Sequence, residues 1–113
     1  VDAPVSLTIR PPRLGDPGFL PTSFRLDDAF PNPFNPSTDI GFGLPTDAAV
    51  KLSVYNVLGQ RVRILTDDTY KAGYHHAHWD GRDDAGQDLT SGLYFAVMHA
   101  DGFHAIRKLM RLE

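Results

Sequence analysis

The nine residues Phe30-Pro31-Asn32-Pro33-Phe34-Asn35-Pro36-Ser37-Thr38 restrict this chain more than any other stretch. Proline fixes φ, donates no backbone hydrogen bond and drives the residue before it into an extended conformation. Three prolines at this spacing exclude a helix and an interior strand. They predict a stiff, polyproline-like strap that presents Phe30 and Phe34 as anchors.

Proline density also divides the chain. Five of the nine prolines fall within the first 21 residues, and Pro11-Pro12 and Pro17-Gly18 break any helix or central strand. Residues 1–22 therefore read as a proline-rich linker, in which the alternating Val5, Leu7 and Ile9 suit a short strand closing a preceding domain. Residues 23–113 read as one folded domain of ordinary size. With a start at Val1, no initiator methionine and no charged-then-apolar leader, the sequence reads as a piece of a longer protein, an expectation for the domain organisation. No run approaches the roughly twenty apolar residues of a membrane-spanning helix. A net charge of −3 argues against a nucleic-acid partner, and the absence of cysteine removes disulfides and thiolate metal sites.

From Ser23 onward, apolar residues alternate in short runs separated by turn residues, with no helical stripe. Phe24, Leu26 and Ala29 open the first strand. Asp39 to Leu44 forms the second, with Ile40, Phe42 and Leu44 on one face and Gly41 and Gly43 on the other, where glycine marks a bulge or a close neighbour. Val50, Leu52 and Val54 face inward on the third, which ends in a hairpin whose Asn56 and Gly59 tolerate left-handed angles. Val62 and Ile64 lie between exposed Arg61 and Arg63 on the fourth. Tyr74 to Trp79, Leu93 to His99 and His104 to Leu112 complete the set, the last two joined at Asp101-Gly102. Seven such strands predict an all-β, immunoglobulin-like antiparallel sandwich.

Two polar clusters invite a metal. In the loop from Asp80 to Asp88, the candidates Asp80, Asp83 and Asp84 are spaced wrongly for an EF-hand: Arg82 holds the third position, Ala85 the sixth and Ser91 the twelfth. Asx turns on nearby backbone N–H groups account for these aspartates, with Gly81 and Gly86 supplying permissive angles. On the fifth strand, His76 and His78 share a face and His75 points the other way, so two imidazoles have no assignable third ligand. A solvated strand face is the preferred account. No nucleophile elbow, phosphate-cradling glycine loop or isolated carboxylate pair is present, so no catalytic residue and no cofactor is assigned. Trp79, Phe42, Tyr94 and Phe95 would form a sugar-stacking platform if exposed, which would make the chain a carbohydrate-binding module. Core anchorage explains Trp79 more economically.

Four words in order resemble a known family: FPNPFNPST (30–38), VYNVLGQ (54–60), WDGRDDAG (79–86) and SGLYF (91–95). With the closing run Arg107-Lys108-Leu109-Met110, they make the chain from about Phe24 onward similar to the type A C-terminal sorting domain of the bacterial type IX (Por) secretion system. That family overlaps in sequence with the immunoglobulin-like domain of the flagellar hook-cap scaffolding protein. The resemblance implies an address and not an enzyme. A larger exported protein would carry this domain through the periplasm to an outer-membrane translocon. A surface sortase-like peptidase would then remove it and anchor the cargo at the cell surface or release it. By this resemblance Pro31, Asn32, Pro33, Phe34, Asn35 and Pro36 match the early proline motif. Gly92 and Tyr94 fall in the glycine-tyrosine motif, and Lys108 in the basic terminal segment. Glu113 stands where many members end in lysine.

A translocon that accepts unrelated cargoes has to read the tag, and an unpaired sheet edge offers it backbone groups for β-augmentation. The last strand is the expected edge, with Arg107, Lys108 and Arg111 supplying charge to the receptor. Cleavage is expected in the linker between about Asp16 and Ser23. The competing readings are a structural spacer or assembly domain of the same fold and the carbohydrate-binding module, and fold alone does not separate them.

Overall fold

The alternating apolar residues resolve into seven strands in the computed structural model, which describes residues 20–113. These are β1 (Arg25–Phe30), β2 (Thr38–Leu44), β3 (Ala48–Tyr55), β4 (Arg61–Tyr70), β5 (Gly73–Trp79), β6 (Gly92–Ala100) and β7 (Phe103–Arg111). They form two antiparallel sheets, β1-β2-β5 and β4-β3-β6-β7, packed as an immunoglobulin-like sandwich. The fold class is the expected one. The alternation at Val5, Leu7 and Ile9 lies outside the described residues, as does the expected linker except for residues 20–22, of which Pro21 is buried.

The inward positions of β2 and β3 are those that alternation predicts. Ile40, Phe42, Leu44, Val50, Leu52 and Val54 are buried and meet Ala77, Trp79, Ala96, Met98 and Leu109 from the facing strands. Each large side chain buried here contributes about 1.5–3 kcal/mol. On the outer face of the smaller sheet, a Cβ at Gly41 would lie 2.9 Å from Asp27 Oδ2, so the bare glycine face accommodates the Arg25–Asp27 ion pair. His75 packs inward between Phe42 and Tyr70, with ring centroids 5.5 and 4.9 Å away, while His76 and His78 face solvent.

Strand β4 departs from simple alternation. The register slips twice against β3, between Leu52 and Ser53 and between Val54 and Tyr55. These bulges turn Val62 and Leu65 toward the core, whereas Ile64 pairs with outward Ser53. Arg63 is likewise not the exposed residue expected: it is 27% exposed and its Nη1 lies 3.0 Å from Asp80 Oδ1. In the β3–β4 hairpin only Gly59 takes a positive φ, +81°. Asn56 acts through its side chain instead, its Oδ1 accepting from the N–H groups of Leu58 and Gln60 at 2.9 and 3.0 Å.

Candidate functional site

The register brings all four sequence words to one pole of the sandwich. Thr38 pairs with Trp79, Tyr55 with Phe95, and Gly92 with Arg111, so the strap, the β3–β4 hairpin, the Asp80–Asp88 loop and the end of β7 are neighbours. The chain enters at the other pole, where Arg25 pairs with Gly43 and the Asp101-Gly102 turn lies.

At the motif pole an aromatic column ties the words together. Phe34 and Trp79 are 1% and 0% exposed with centroids 5.4 Å apart, and Trp79 meets Tyr94 edge-on at 5.4 Å. Trp79 Nε1 donates to the Arg82 carbonyl at 2.9 Å, and Tyr94 OH to the Thr90 carbonyl at 2.7 Å. Three of the four aromatics of the sugar-platform reading, Phe42, Trp79 and Tyr94, are therefore core residues.

The strap does more than present anchors. Phe34 N–H donates to the Met110 carbonyl at 2.9 Å, and Leu112 N–H donates to the Phe34 carbonyl at 2.9 Å, a short parallel pairing beside β7. Asn32 extends it through a side chain: Nδ2 donates to the Lys108 carbonyl at 2.8 Å and Oδ1 accepts from Met110 N–H at 2.9 Å. The far half of the β7 edge, which sequence reasoning offered to a receptor, is thus filled by the protein itself. Thr38, 1% exposed, closes the strap by donating to the Pro31 carbonyl at 2.6 Å. The chain bends at 31–33 and 35–36, with the peptide bonds before Pro31, Pro33 and Pro36 cis, in place of the straight polyproline course expected. Phe34 is the anchor; Phe30 is 81% exposed. Pro33 is exposed and lines a shallow groove of about 390 Å³ with Asn32, Leu93, Lys108 and Met110, and Asn35 is exposed.

The basic residues of β7 divide by side. Arg107 turns toward the other sheet, where Nε donates to the Leu26 carbonyl at 2.9 Å and lies 3.5 Å from Asp28. Arg111 points under the strap: Nη1 donates to the Leu89 carbonyl, while its buried Nε has no hydrogen-bond partner among the described residues. A Cβ at Gly81, whose φ is +78°, would sit 2.7 Å from that Nε and 2.9 Å from the Pro36 carbonyl, so this position requires glycine. Only Lys108 projects outward. The expected charge surface of Arg107, Lys108 and Arg111 reduces to that lysine, because strand parity turns the two arginines inward.

The carboxylates of the polar loop are committed to the domain. Asp83 Oδ1 accepts from the N–H groups of Ala85 and Gln87, each at 3.0 Å. Asp84 Oδ1 accepts from Ile64 N–H at 3.0 Å and so covers part of the β4 edge. On the fifth strand, His78 Nδ1 lies 2.9 Å from Asp39. Among the described residues, no three His, Asp or Glu side chains gather as a metal site. Burial works against the Asp80 carboxylate, but Arg82 N–H and the Arg63 guanidinium outweigh it and hold this group below its ordinary value. The unfolded chain then binds the proton more readily, so the stabilisation is complete above the ordinary carboxylate pKa and is lost as pH falls through the lowered one. The gap in urea midpoint between the parent and Asp80→Asn is expected to be small and constant near neutrality and to close in acid. It is small because the Asp80 side chain is 45% exposed.

Sequence reasoning missed the apolar tips of this pole. Val57 and Leu58 are 65% and 78% exposed on the hairpin, and Leu112 is 48% exposed. Val57 and Leu58 overhang a groove of about 300 Å³ floored by Val62, Leu89 and Tyr94. The available signal was two large apolar residues inside a turn, where neither packs.

Residues 30–102 match the FlgD Ig-like domain. The chain belongs to the FlgD Ig-like domain family. Two solved structures share the architecture of this FlgD Ig-like domain. Dimeric latent PorU from Porphyromonas gingivalis superposes with a TM-score of 0.61 and 18% identity, covering 80% of this chain and 10% of that one. FlgD from P. aeruginosa superposes with a TM-score of 0.54 and 22% identity, covering 78% of this chain and 71% of that one. The chain thus spans about a tenth of the PorU chain. No curated protein matches it.

Proposed function

We propose that this FlgD Ig-like domain is a non-catalytic sorting and anchoring module that directs a larger exported protein across the outer membrane by type IX secretion. The observation that carries the reading is the convergence of all four words on the pole opposite chain entry, where Val57, Leu58 and Leu112 present apolar surface that the fold does not use. A preceding domain would sit at the other pole and leave this one free for a receptor. The likeness to a Por protein supports export by the Por system. The translocon, the surface peptidase and the upstream cargo are the partners, with residues 1–22 as linker, cleavage between about Asp16 and Ser23, and 23–113 as the tag. The exposed recognition elements are Pro33, Asn35, Lys108 and the hairpin tip. Phe34, Tyr94, Arg107 and Arg111 hold their frame.

The test is a fluorescent reporter with an inner-membrane signal, fused to the chain and followed in a type IX-competent host and an isogenic secretion-null strain. Surface or medium fluorescence is expected only in the competent host. The double variant Val57→Asp/Leu58→Asp is expected to lower it about tenfold or more while melting like the parent. Retention of the stable parent fusion in both hosts overturns the reading. It would favour the structural spacer or assembly domain, the second reading that the FlgD match supports.

A further inference from the structure

The outer faces of the two sheets differ in chemistry. On the three-stranded sheet the outward residues Arg25, Asp27, Asp39 and His78 are polar and paired, Arg25 with Asp27 at 2.6 Å and His78 with Asp39 at 2.9 Å, with Phe30 the exposed apolar residue at its motif end. On the four-stranded sheet, strand parity and register stack apolar side chains into rows: Ile64, Val97 and Ile106 flanking the small, polar Ser53; Tyr55 and Phe95; Leu93 and Met110. Ser53 is only 3% exposed at an outward position, because its larger neighbours close over it, whereas Ile106 and Met110 remain 58% and 38% exposed. Arg61 and Lys108 stand at the motif end of this face. Lys51, Asp67, His99 and His104 stand at the other end.

We propose that this face packs against the same face of a second copy of the chain, about a two-fold axis that crosses the strands through the Ser53–Val97 row. Such an axis sets each strand over its own counterpart and exchanges the two ends. The central apolar row then meets itself. Arg61 of one copy comes opposite Asp67 of the other, Lys51 comes over the ring of Tyr55, a favourable cation–π arrangement, and His99 comes over the ring of Phe95. Lys108 comes opposite His104 and gains nothing there. An axis along the strands would set β4 on β7 and bring Arg61 beside Lys108, so the charge pattern selects the first. Strands about 4.8 Å apart, with about seven residues each at about 3.4 Å, give a face of roughly 400 Å². That is about half of what each partner buries in a standard interface. The dimer is accordingly weak, with a Kd on the order of 100 µM. Arrayed or tethered copies would reach that concentration.

The experiment is sedimentation velocity of the Val1–Glu113 chain from about 10 µM to about 1 mM, bracketing that Kd. A concentration-dependent monomer–dimer equilibrium is expected. Ile106→Glu should raise the Kd at least about tenfold with an unchanged thermal melt. Arg61→Asp and Asp67→Arg should each raise it by about fivefold, and the double exchange should restore it. A monomer throughout overturns the proposal, as does a dimer indifferent to Ile106→Glu. Failure of the double exchange to restore pairing overturns the two-fold arrangement.

Discussion

Phe34→Ala is expected to destabilise the domain by about 3–5 kcal/mol, the range for truncating a fully buried aromatic. Phe34 is 1% exposed, packs at a tilt against Trp79 and carries the backbone pairing with Met110 and Leu112, so its loss opens a cavity and loosens the strap together. Domains of this size are stable by about 5–15 kcal/mol, and a loss this large leaves little margin. Equilibrium urea unfolding measures it, and Trp79 fluorescence should shift to the red as its neighbour disappears. Asn32→Ala is the control for edge pairing alone. Its two hydrogen bonds are at the surface, so about 1–2 kcal/mol is expected. Equal costs for the two variants would show that the ring contributes no more than the edge pairing.

Deleting Leu109–Glu113 should have a still larger effect, eliminating cooperative unfolding or lowering the melting temperature by tens of degrees. The deletion removes Leu109, which is fully buried, the Met110 carbonyl and Leu112 N–H that hold Phe34, and the Arg111 guanidinium beneath Gly81. Limited proteolysis should then cut first within the strap. A truncated chain melting within a few degrees of the parent would mean that the strap holds without β7. One consequence bears on export: truncation destroys the tag's frame along with its surface, so loss of secretion on truncation cannot distinguish recognition from folding. Substitutions at Val57, Leu58 and Lys108 can, because these side chains project from the frame.

The sequence carried most of the fold because its strongest signals are local. Ile40, Phe42 and Leu44, and Val50, Leu52 and Val54, alternate in a two-residue period that only a half-buried strand satisfies, and all six are buried. What failed was decided by partners distant in sequence. The bulges of β4 depend on its register with β3, so nothing within Arg61–Leu65 shows that Leu65 turns inward and Ile64 outward. The side on which Arg107 and Arg111 fall is set by Leu109, whose burial fixes the parity of β7. Composition shows a basic strand; only pairing shows that two of its three charges serve the interior. Asn32 has the same limit, since an asparagine between prolines reads as a turn residue until β7 lies beside it. The words themselves were legible as a set. Their meeting at one pole depends on strand order and was not.

The strap's dependence on β7 has a consequence for synthesis. Asn32 emerges from a ribosome 76 and 78 residues ahead of the Lys108 carbonyl and Met110 N–H that hold it, and Phe34 likewise precedes its partners Met110 and Leu112. Until Lys108 to Leu112 arrive, a nascent chain can form its early hairpins but cannot close the pole, and Phe34 has no finished pocket. Closure of this pole therefore reports that the reading frame has been carried through residue 112. A message cut short or shifted upstream of that point yields a domain with an open pole, exposed to proteases and lacking the surface that its complete sibling displays.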